Sequence, residues 1–439
     1  MKVIHTSDWH LGHRLYGLSR YEEQKAFLHW LLRQIEAHAV DALIVAGDVF
    51  DTHNPSAEST KLYYHFLMRL HTEHPHVQTV IIGGNHDSAQ RLDAPREVLS
   101  TLNVHVVGGL PNINGSNWDQ LYCPLRDRSG ETKAWVAAVP FLKASDLPIK
   151  IDQPEDKVIN GVKEVYRLAL NGLKDQINND QALILTGHCE MRKGLLSKES
   201  ERKLSGYSEQ SMPSEIFTSE DGVTPTYVAL GHLHLAQSIS DAPWVRYSGA
   251  PLPFSISERR YPHQIVLIEF EGHRAQSIES LLVPEELKVQ MIKIPEKESS
   301  SEIETQPIGF DEVIKELKRL PNLDESVPEW KRPLLQVSVH SEHPDPNIKV
   351  KVIKTLKNKH PRLAKLSVTY PKKEASKTES PPTSYLCDIE PEEVFKARWK
   401  SRRGTEVPLD QLALFTQLKD LARTHLVAEP SPSSSSKGK

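Results

Sequence analysis

The chain has 439 residues, 38% hydrophobic and 26% charged, with 54 Lys and Arg against 58 Asp and Glu, a formal net charge of −4. That length exceeds one ordinary domain and the composition suits a globular fold; no apolar run approaches the ~20 residues of a membrane span, and the slightly acidic balance gives no whole-molecule attraction to nucleic acid. The widely spaced Cys123, Cys189 and Cys387 argue against a disulfide framework, and with no apolar leader after Met1 they point to the cytoplasm.

Runs rich in Val, Ile and Leu at residues 2–4, 42–46, 79–82, 104–107, 135–139, 183–186 and 227–230 predict buried strands. Between the first two, Phe27, Leu28, Leu31, Leu32 and Ile35 share one face of a helix predicted over 21–39. This order predicts an α/β domain over 1–275 with parallel pairing at its centre, closed by a strand at 264–270. A second unit over 285–373 reads as strand 288–292, helix 310–319, strand 334–339, helix 347–359 and strand 364–369, a small α+β module. Residues 374–388, rich in Ser, Thr, Pro and Glu, predict a linker. Two helices are expected within 389–428, the second carrying Leu414, Phe415, Leu418 and Leu421 on one stripe, and the Ser-rich 429–439 predicts disorder.

The predicted strands end in polar residues of one kind. Asp8 and His10 follow the first, Asp48 the second, Asn85-His86-Asp87 the third; His188, then His232 and His234, follow two later ones. In open α/β sheets, loops at the carboxyl ends of strands converge on ligands. Asp8, Asp48 and Asn85 offer oxygen; His10, His188, His232 and His234 offer nitrogen. Seven donors are too many for one tetrahedral ion and suit two ions sharing a carboxylate. A thiolate-free N/O set favours Mn²⁺, with Fe and Zn open. Any one of these residues alone is more often a solvated loop residue. Five such blocks, each directly after an apolar strand, have no comparable structural explanation, because burying that much charge and imidazole without metal is costly.

The blocks Asp-x-His, Gly-Asp-x-x-Asp, Gly-Asn-His-Asp, Gly-His and Gly-His-x-His occur here in the order seen in the calcineurin-like metallophosphoesterases, which the chain resembles. Residues 5–12 (His-Thr-Ser-Asp-Trp-His-Leu-Gly), 46–51, 84–88, 229–234 and 245–251 look like the bacterial nuclease branch that works beside an SMC-like ATPase, and Pro391-Glu392-Glu393-Val394-Phe395 is in keeping with it. The resemblance implies a β-sandwich flanked by helices, a capping α+β domain that helps admit DNA, and C-terminal helices that dock on the ATPase. It implies that Asp8, His10 and His234 hold one ion, Asn85, His188 and His232 the other, and Asp48 bridges. His86 is implied to donate a proton to the leaving oxygen or to stabilise the transition state. Asp87 is expected to orient His86 by accepting its other N–H.

Relatives outside the bacterial branch tend to carry histidine where this chain has Asp51; His53, nearby, reads as a solvated loop residue. Also implied are 3′→5′ exonuclease action on double strands, endonuclease opening of hairpins, roles in DNA repair, recombination and replication, and a homodimer within a heterotetramer, through helices near 60–70 and 90–100. From Lys349 to Lys373 there are eight Lys, one Arg and no acid. Lys351, Lys354, Lys357 and Arg362 are candidate DNA contacts, against the plainer reading of a solvated helix face. No Gly-x-x-x-x-Gly-Lys-Ser/Thr occurs, so any ATP dependence comes from another protein. The competing reading is a phosphoesterase of small substrates with the same metal centre, or a non-catalytic subunit that only binds metal.

Overall fold

The computed structural model of the protein describes residues 1–111, 118–147, 157–195, 211–218, 224–295, 308–371, 394–396, 398–400, 405–408 and 410–416. Along the strand Ala42–Ala46, side chains alternate between two cores. Ala42, Ile44 and Ala46 face one cluster, Leu43 and Val45 the other. The same split divides Val3 from Ile4 and Val80 from Ile81. A strand buried on both faces must be apolar throughout, which is why these runs read as continuous.

One sheet orders its strands Arg274–Leu282, Gln264–Glu271, Lys2–Thr6, Ala42–Ala46, Gln78–Ile82 and Val104–Val107. The last four run parallel, and Gln264–Glu271 pairs antiparallel on both sides. The second sheet orders Gln237–Ile239, Ala242–Tyr247, Tyr227–Gly231, Ala182–His188, Thr132–Ala137 and Tyr122–Arg126, with the middle four parallel. Both sheets feed the first core, so they form a sandwich. Helices Tyr21–Ala37 and Ala57–Glu73 cover the outer face of the first sheet with Phe27, Leu31, Leu62 and Phe66. The second of these helices begins at Ser56, whose hydroxyl accepts from the Ser59 N–H. Helix Lys157–Asn171 packs Val162, Val165, Tyr166 and Ala169 into the sandwich core.

A third, parallel sheet pairs Leu334–His340 with Met291–Ile294, Arg362–Thr369 and the short Ile308–Gly309. Helices Phe310–Arg319 and Ile348–Leu356 bury Val313, Leu317, Val352 and Leu356 against it. The strand expected at 288–292 lies at Met291–Ile294 instead. Pro284 opens a short turn at Glu285–Leu287, and the Val289 N–H donates to Glu23 Oε1 (2.9 Å) rather than to a ladder. Val289, Met291 and Leu334 share a small core with Leu15 and Ile256, which seats this sheet on the sandwich.

By compactness the chain divides into Met1–Pro371 and Lys372–Lys439. In the second unit, helical residues include 394–396 and 410–416, and the Phe395 and Phe415 rings stack 4.3 Å apart at 6°. The expected linker 374–388, the tail 429–439, and Leu418 and Leu421 of the predicted docking stripe lie outside the described residues. Among the described residues no helix is long and apolar enough to cross a membrane.

Candidate metal centre

Three of the loops leaving strands at this rim hold residues in a backbone conformation that side chains rarely adopt. Asp8, His10, Asp48 and His232 have φ of 53°, 43°, 50° and 101°. Such strain persists only where the surroundings over-determine it, and it clusters at functional sites. The loops also grip one another. Asp8 N–H donates to the Gly47 carbonyl (3.0 Å) and His10 N–H to that of Asp48 (2.9 Å). Asp48 Oδ1 accepts the His86 N–H (2.8 Å), and Asp8 Oδ1 accepts the His232 N–H (2.9 Å). Two glycines permit this closeness. Gly47 has φ 89°, and a Cβ there would overlap the His188 ring; a Cβ on Gly84 would overlap the Asp48 carboxylate.

The rim brings together all seven residues that the motifs single out. Donor atoms of Asp8, His10 and His234 lie within 4.8 Å of one another, as do those of Asp8, Asp48 and His188, and of His10, Asp48 and His86. Asn85 Oδ1 lies 3.0 Å from His188 Nε2 and 3.1 Å from His232 Nδ1. Asp48 Oδ2 sits between His10 Nε2 (3.5 Å) and His188 Nε2 (3.4 Å). Two imidazoles have their other nitrogen engaged: His188 Nδ1 donates to the Ala46 carbonyl (2.9 Å), and His234 Nδ1 to Glu258 Oε1 (2.9 Å).

Burial sets the electrostatics. It raises the Asp8 carboxyl above its ordinary range, holds His10 well below the usual imidazole value and takes His232 down to about 3. Burial also opposes the charges on Asp48 and His188. Their mutual attraction outweighs it, holding Asp48 well below the carboxylate range and, with Asp8, pushing His188 up to about 9. A buried, neutral His10 with neither ring nitrogen hydrogen-bonded leaves one N–H and one lone pair that nothing satisfies. Lone pairs beside clustered carboxylates fit a divalent cation, which would compensate the acids and accept the nitrogens.

His86 joins this group, its ring centroid 4.6 Å from that of His10. The expected Asp87–His86 contact is corrected by the structure. Asp87 spends both oxygens on backbone N–H groups, those of Gly84 (2.9 Å), Val49 (3.1 Å) and Phe50 (2.9 Å). The His86 Nδ1–H is taken instead by the Asp51 carbonyl at 2.8 Å. Asp87 therefore ties two motif loops together. Burial, and then Asp48, push its carboxyl up to about 7.

The sequence reading gave no role to four further residues. Asp51 Oδ1 pairs with His13 Nδ1 at 2.9 Å and lies 3.6 Å from His10 Nδ1. Phe254 sets its ring 4.8 Å from His10 and 5.1 Å from His234. Glu258 is fully buried behind His234. Residues 254–258 form an ordinary Phe-Ser-Ile-Ser-Glu stretch, so only the fold reveals the last two. His53 is exposed.

The basic block divides. Lys354 and Lys357 are exposed on the Ile348–Leu356 helix and its C-cap. Lys351, also exposed, lies 3.5 Å from Asp345 and over the Phe310 ring. Arg362, the fourth candidate, is half-buried and donates to the carbonyls of Trp330 (3.1 Å) and Arg332 (3.4 Å). Lys359 likewise donates to the carbonyls of Lys318 and Leu320 (both 2.7 Å) at the end of the preceding helix. In the C-terminal unit, Leu414 is exposed while Phe415 stacks on Phe395.

A mixed sandwich with Asp, Asn and His donors gathered at one rim defines a metal-dependent phosphoesterase. The calcineurin-like phosphoesterase family model matches residues 1–236, and a type 5 capsule protein repressor C-terminal domain matches 300–403. The SbcD subunit of the nuclease SbcCD from Rhodobacter capsulatus is 35% identical over 406 residues, covering 90% of this chain and 94% of that protein. The Escherichia coli K12 protein of the same name is 34% identical, covering 65% of this chain and 68% of its own length. That of Bacillus subtilis is 31% identical, at 64% and 70%. The chain belongs to the calcineurin-like phosphoesterases and, within them, to the SbcD family of SbcCD nuclease subunits. It is a metal-dependent phosphodiesterase of the nuclease kind.

Proposed function

We propose that this chain hydrolyses DNA phosphodiester bonds with two divalent ions, Mn²⁺ first among candidates. Asp8, His10 and His234 hold one ion; Asn85, His188 and His232 hold the other; Asp48 bridges. The observation that carries this reading is the meeting of these side chains, from five distant segments, around a buried His10 whose ring nitrogens make no hydrogen bond. Bound here, the pair supplies Lewis acidity toward the phosphate and lowers the pKa of an attacking water.

The chain's own residues supply position and a proton. His86 gives its Nδ1–H to the Asp51 carbonyl, so Nε2 is the nitrogen left to meet substrate. From there a protonated ring delivers its proton to the leaving oxygen, an effect typically worth about 10²–10⁴-fold. Its backbone N–H, bound to Asp48, keeps it in register with the bridging acid. Asp87 serves by joining the loops at residues 49–50 and 84.

The relatives are named as subunits of SbcCD. The partner we propose is the SMC-like ATPase SbcC, docked through the C-terminal helices, with two copies of this chain in a heterotetramer acting in DNA repair, recombination and replication in the cytoplasm. The substrates are duplex ends cut 3′→5′ and hairpins opened endonucleolytically. The 285–373 module caps the site and Lys351, Lys354 and Lys357 meet phosphates.

The test is cleavage of end-labelled hairpin DNA by the purified chain, with and without SbcC, in Mn²⁺, Mg²⁺, Fe²⁺ or Zn²⁺. p-Nitrophenyl phosphate and a cyclic nucleotide run alongside. Labelled fragments only with metal are expected. Turnover of the small esters with intact DNA, with or without SbcC, would overturn the nuclease reading.

A further inference from the structure

Glu258 sits on the short turn Ile256–Arg260 and is fully buried. Its Oε1 lies 2.9 Å from His234 Nδ1 and its Oε2 accepts the Phe254 N–H at 2.7 Å. The two oxygens thus hold both ends of one five-residue segment against the rim. Phe254, at the near end, lays its ring 4.8 Å from His10 and 5.1 Å from His234. His263 sits behind the turn, with Nδ1 2.8 Å from the Ala250 carbonyl oxygen and Nε2 3.1 Å from that of Glu258, its N–H donating to one of them. Ile256 buries its side chain with Val289, Met291 and Leu334 of the adjoining module.

An ionised carboxylate only accepts hydrogen bonds. In contact with Glu258, His234 must therefore carry its proton on Nδ1 and keep the Nε2 lone pair toward the rim. The contact also fixes the plane of the ring and makes Nε2 a stronger donor to a cation. His188 obtains the same tautomer from a backbone carbonyl. A carbonyl cannot add negative charge, and a carboxylate can.

We infer that Glu258 is a positioning residue that sets the tautomer and orientation of His234, and so the affinity of one of the two cation sites, the one holding Asp8, His10 and His234. This rests on the metal assignment proposed above. Neither the motif blocks nor the family matches pick out Glu258.

The test titrates metal-free protein with Mn²⁺ alone, counting bound ions by the electron paramagnetic resonance of free Mn²⁺, for wild type, Glu258→Gln, Glu258→Ala and His234→Ala. Wild type is expected to bind two ions. Glu258→Ala is expected to weaken one of them by about 10–100-fold, the usual effect of removing such a partner. The other ion, on Asn85, His188 and His232, keeps its affinity and reports that the fold is intact. Glu258→Gln, which keeps the shape and one acceptor, falls between. Two unchanged sites in Glu258→Gln and Glu258→Ala, with one lost in His234→Ala, would overturn the role of Glu258 alone. Two unchanged sites in His234→Ala would overturn the metal assignment itself. Equal weakening of both sites in Glu258→Gln, with a lowered melting temperature, would mean that Glu258 only holds up the fold.

Discussion

Two sets of charged side chains in this fold are built in opposite ways. At the sandwich rim the candidate ligands other than the half-buried Asn85 are buried, and backbone ties the loops together: Asp48 reaches the His86 N–H, Asp8 the His232 N–H, and four of the residues sit at positive φ. On the helix Ile348–Leu356, Lys351 and Lys354 stand in solvent beside the exposed Val350 and Ile353, with Lys357 just beyond. Geometry at the rim leaves each residue one task. Geometry on the helix leaves its lysines several, and only measurement separates them.

The contrast would break first at Asp48. Asp48→Ala removes the carboxylate between His10 and His188 and the acceptor of the His86 N–H. DNA cleavage is expected to fall about 10⁴-fold, since a bridged pair of cations contributes several kcal/mol to the transition state. A loss below tenfold in single-turnover assays would mean that the rim is not the catalytic centre.

His86→Ala comes next. The backbone N–H to Asp48 survives the substitution, so Mn²⁺ binding should hold while the single-turnover rate falls roughly 10²–10³-fold. An unchanged rate would remove His86 from the mechanism.

A third expectation concerns the floor beneath the rim. His5 is fully buried; its Nε2–H donates to the Leu230 carbonyl (3.2 Å) and its Nδ1 accepts from Tyr227 (2.9 Å). Burial lowers its pKa from 6.5 to about 3. Between these values the unfolded chain binds the proton and the folded chain does not. Stability therefore falls as pH drops from 6.5 toward 3, by about 1.4 kcal/mol per pH unit from this group. His5→Gln should flatten the slope of urea-unfolding free energy against pH by about that amount between pH 4 and 6. An unaltered slope would show that His5 is charged in the fold.

How much of this was legible follows the same division. Asp8, His10, Asp48, Asn85, His188, His232 and His234 could be read because each comes directly after an apolar strand, and strand order decides where they meet. Glu258 could not: it lies on a turn with no distinctive spacing, and its contact with His234 spans 24 residues. The Asp87 assignment failed for a related reason. Adjacency in Gly-Asn-His-Asp suggested a carboxylate–imidazole pair, but three unsatisfied N–H groups from tight loops claimed the carboxylate first. The helix at 57–73 was expected near 60–70 only through the resemblance and not from its own pattern, although its Leu62, Phe66 and Leu70 lie on one buried face, because polar residues crowd its ends. Arg362 looked like part of a basic surface; sequence alone does not show that two carbonyls sit within its reach.

The smallest expected effect is the most discriminating for the second region. If Lys354 and Lys357 neutralise phosphates, each contact releases counterions, and the slope of log affinity against log salt falls by about 0.9 per lysine. The double variant Lys354→Ala, Lys357→Ala should then lose several-fold in DNA affinity at low salt, with the cleavage rate of bound DNA unchanged. Arg362→Ala is the control from the same block. Its guanidinium is engaged with the Trp330 and Arg332 carbonyls, so its loss should cost about 1 kcal/mol of stability and leave the salt slope alone. Should Arg362 shift the slope and the two lysines not, the DNA path runs past the strand Arg362–Thr369 rather than over the helix, and the lysines are a solvated face.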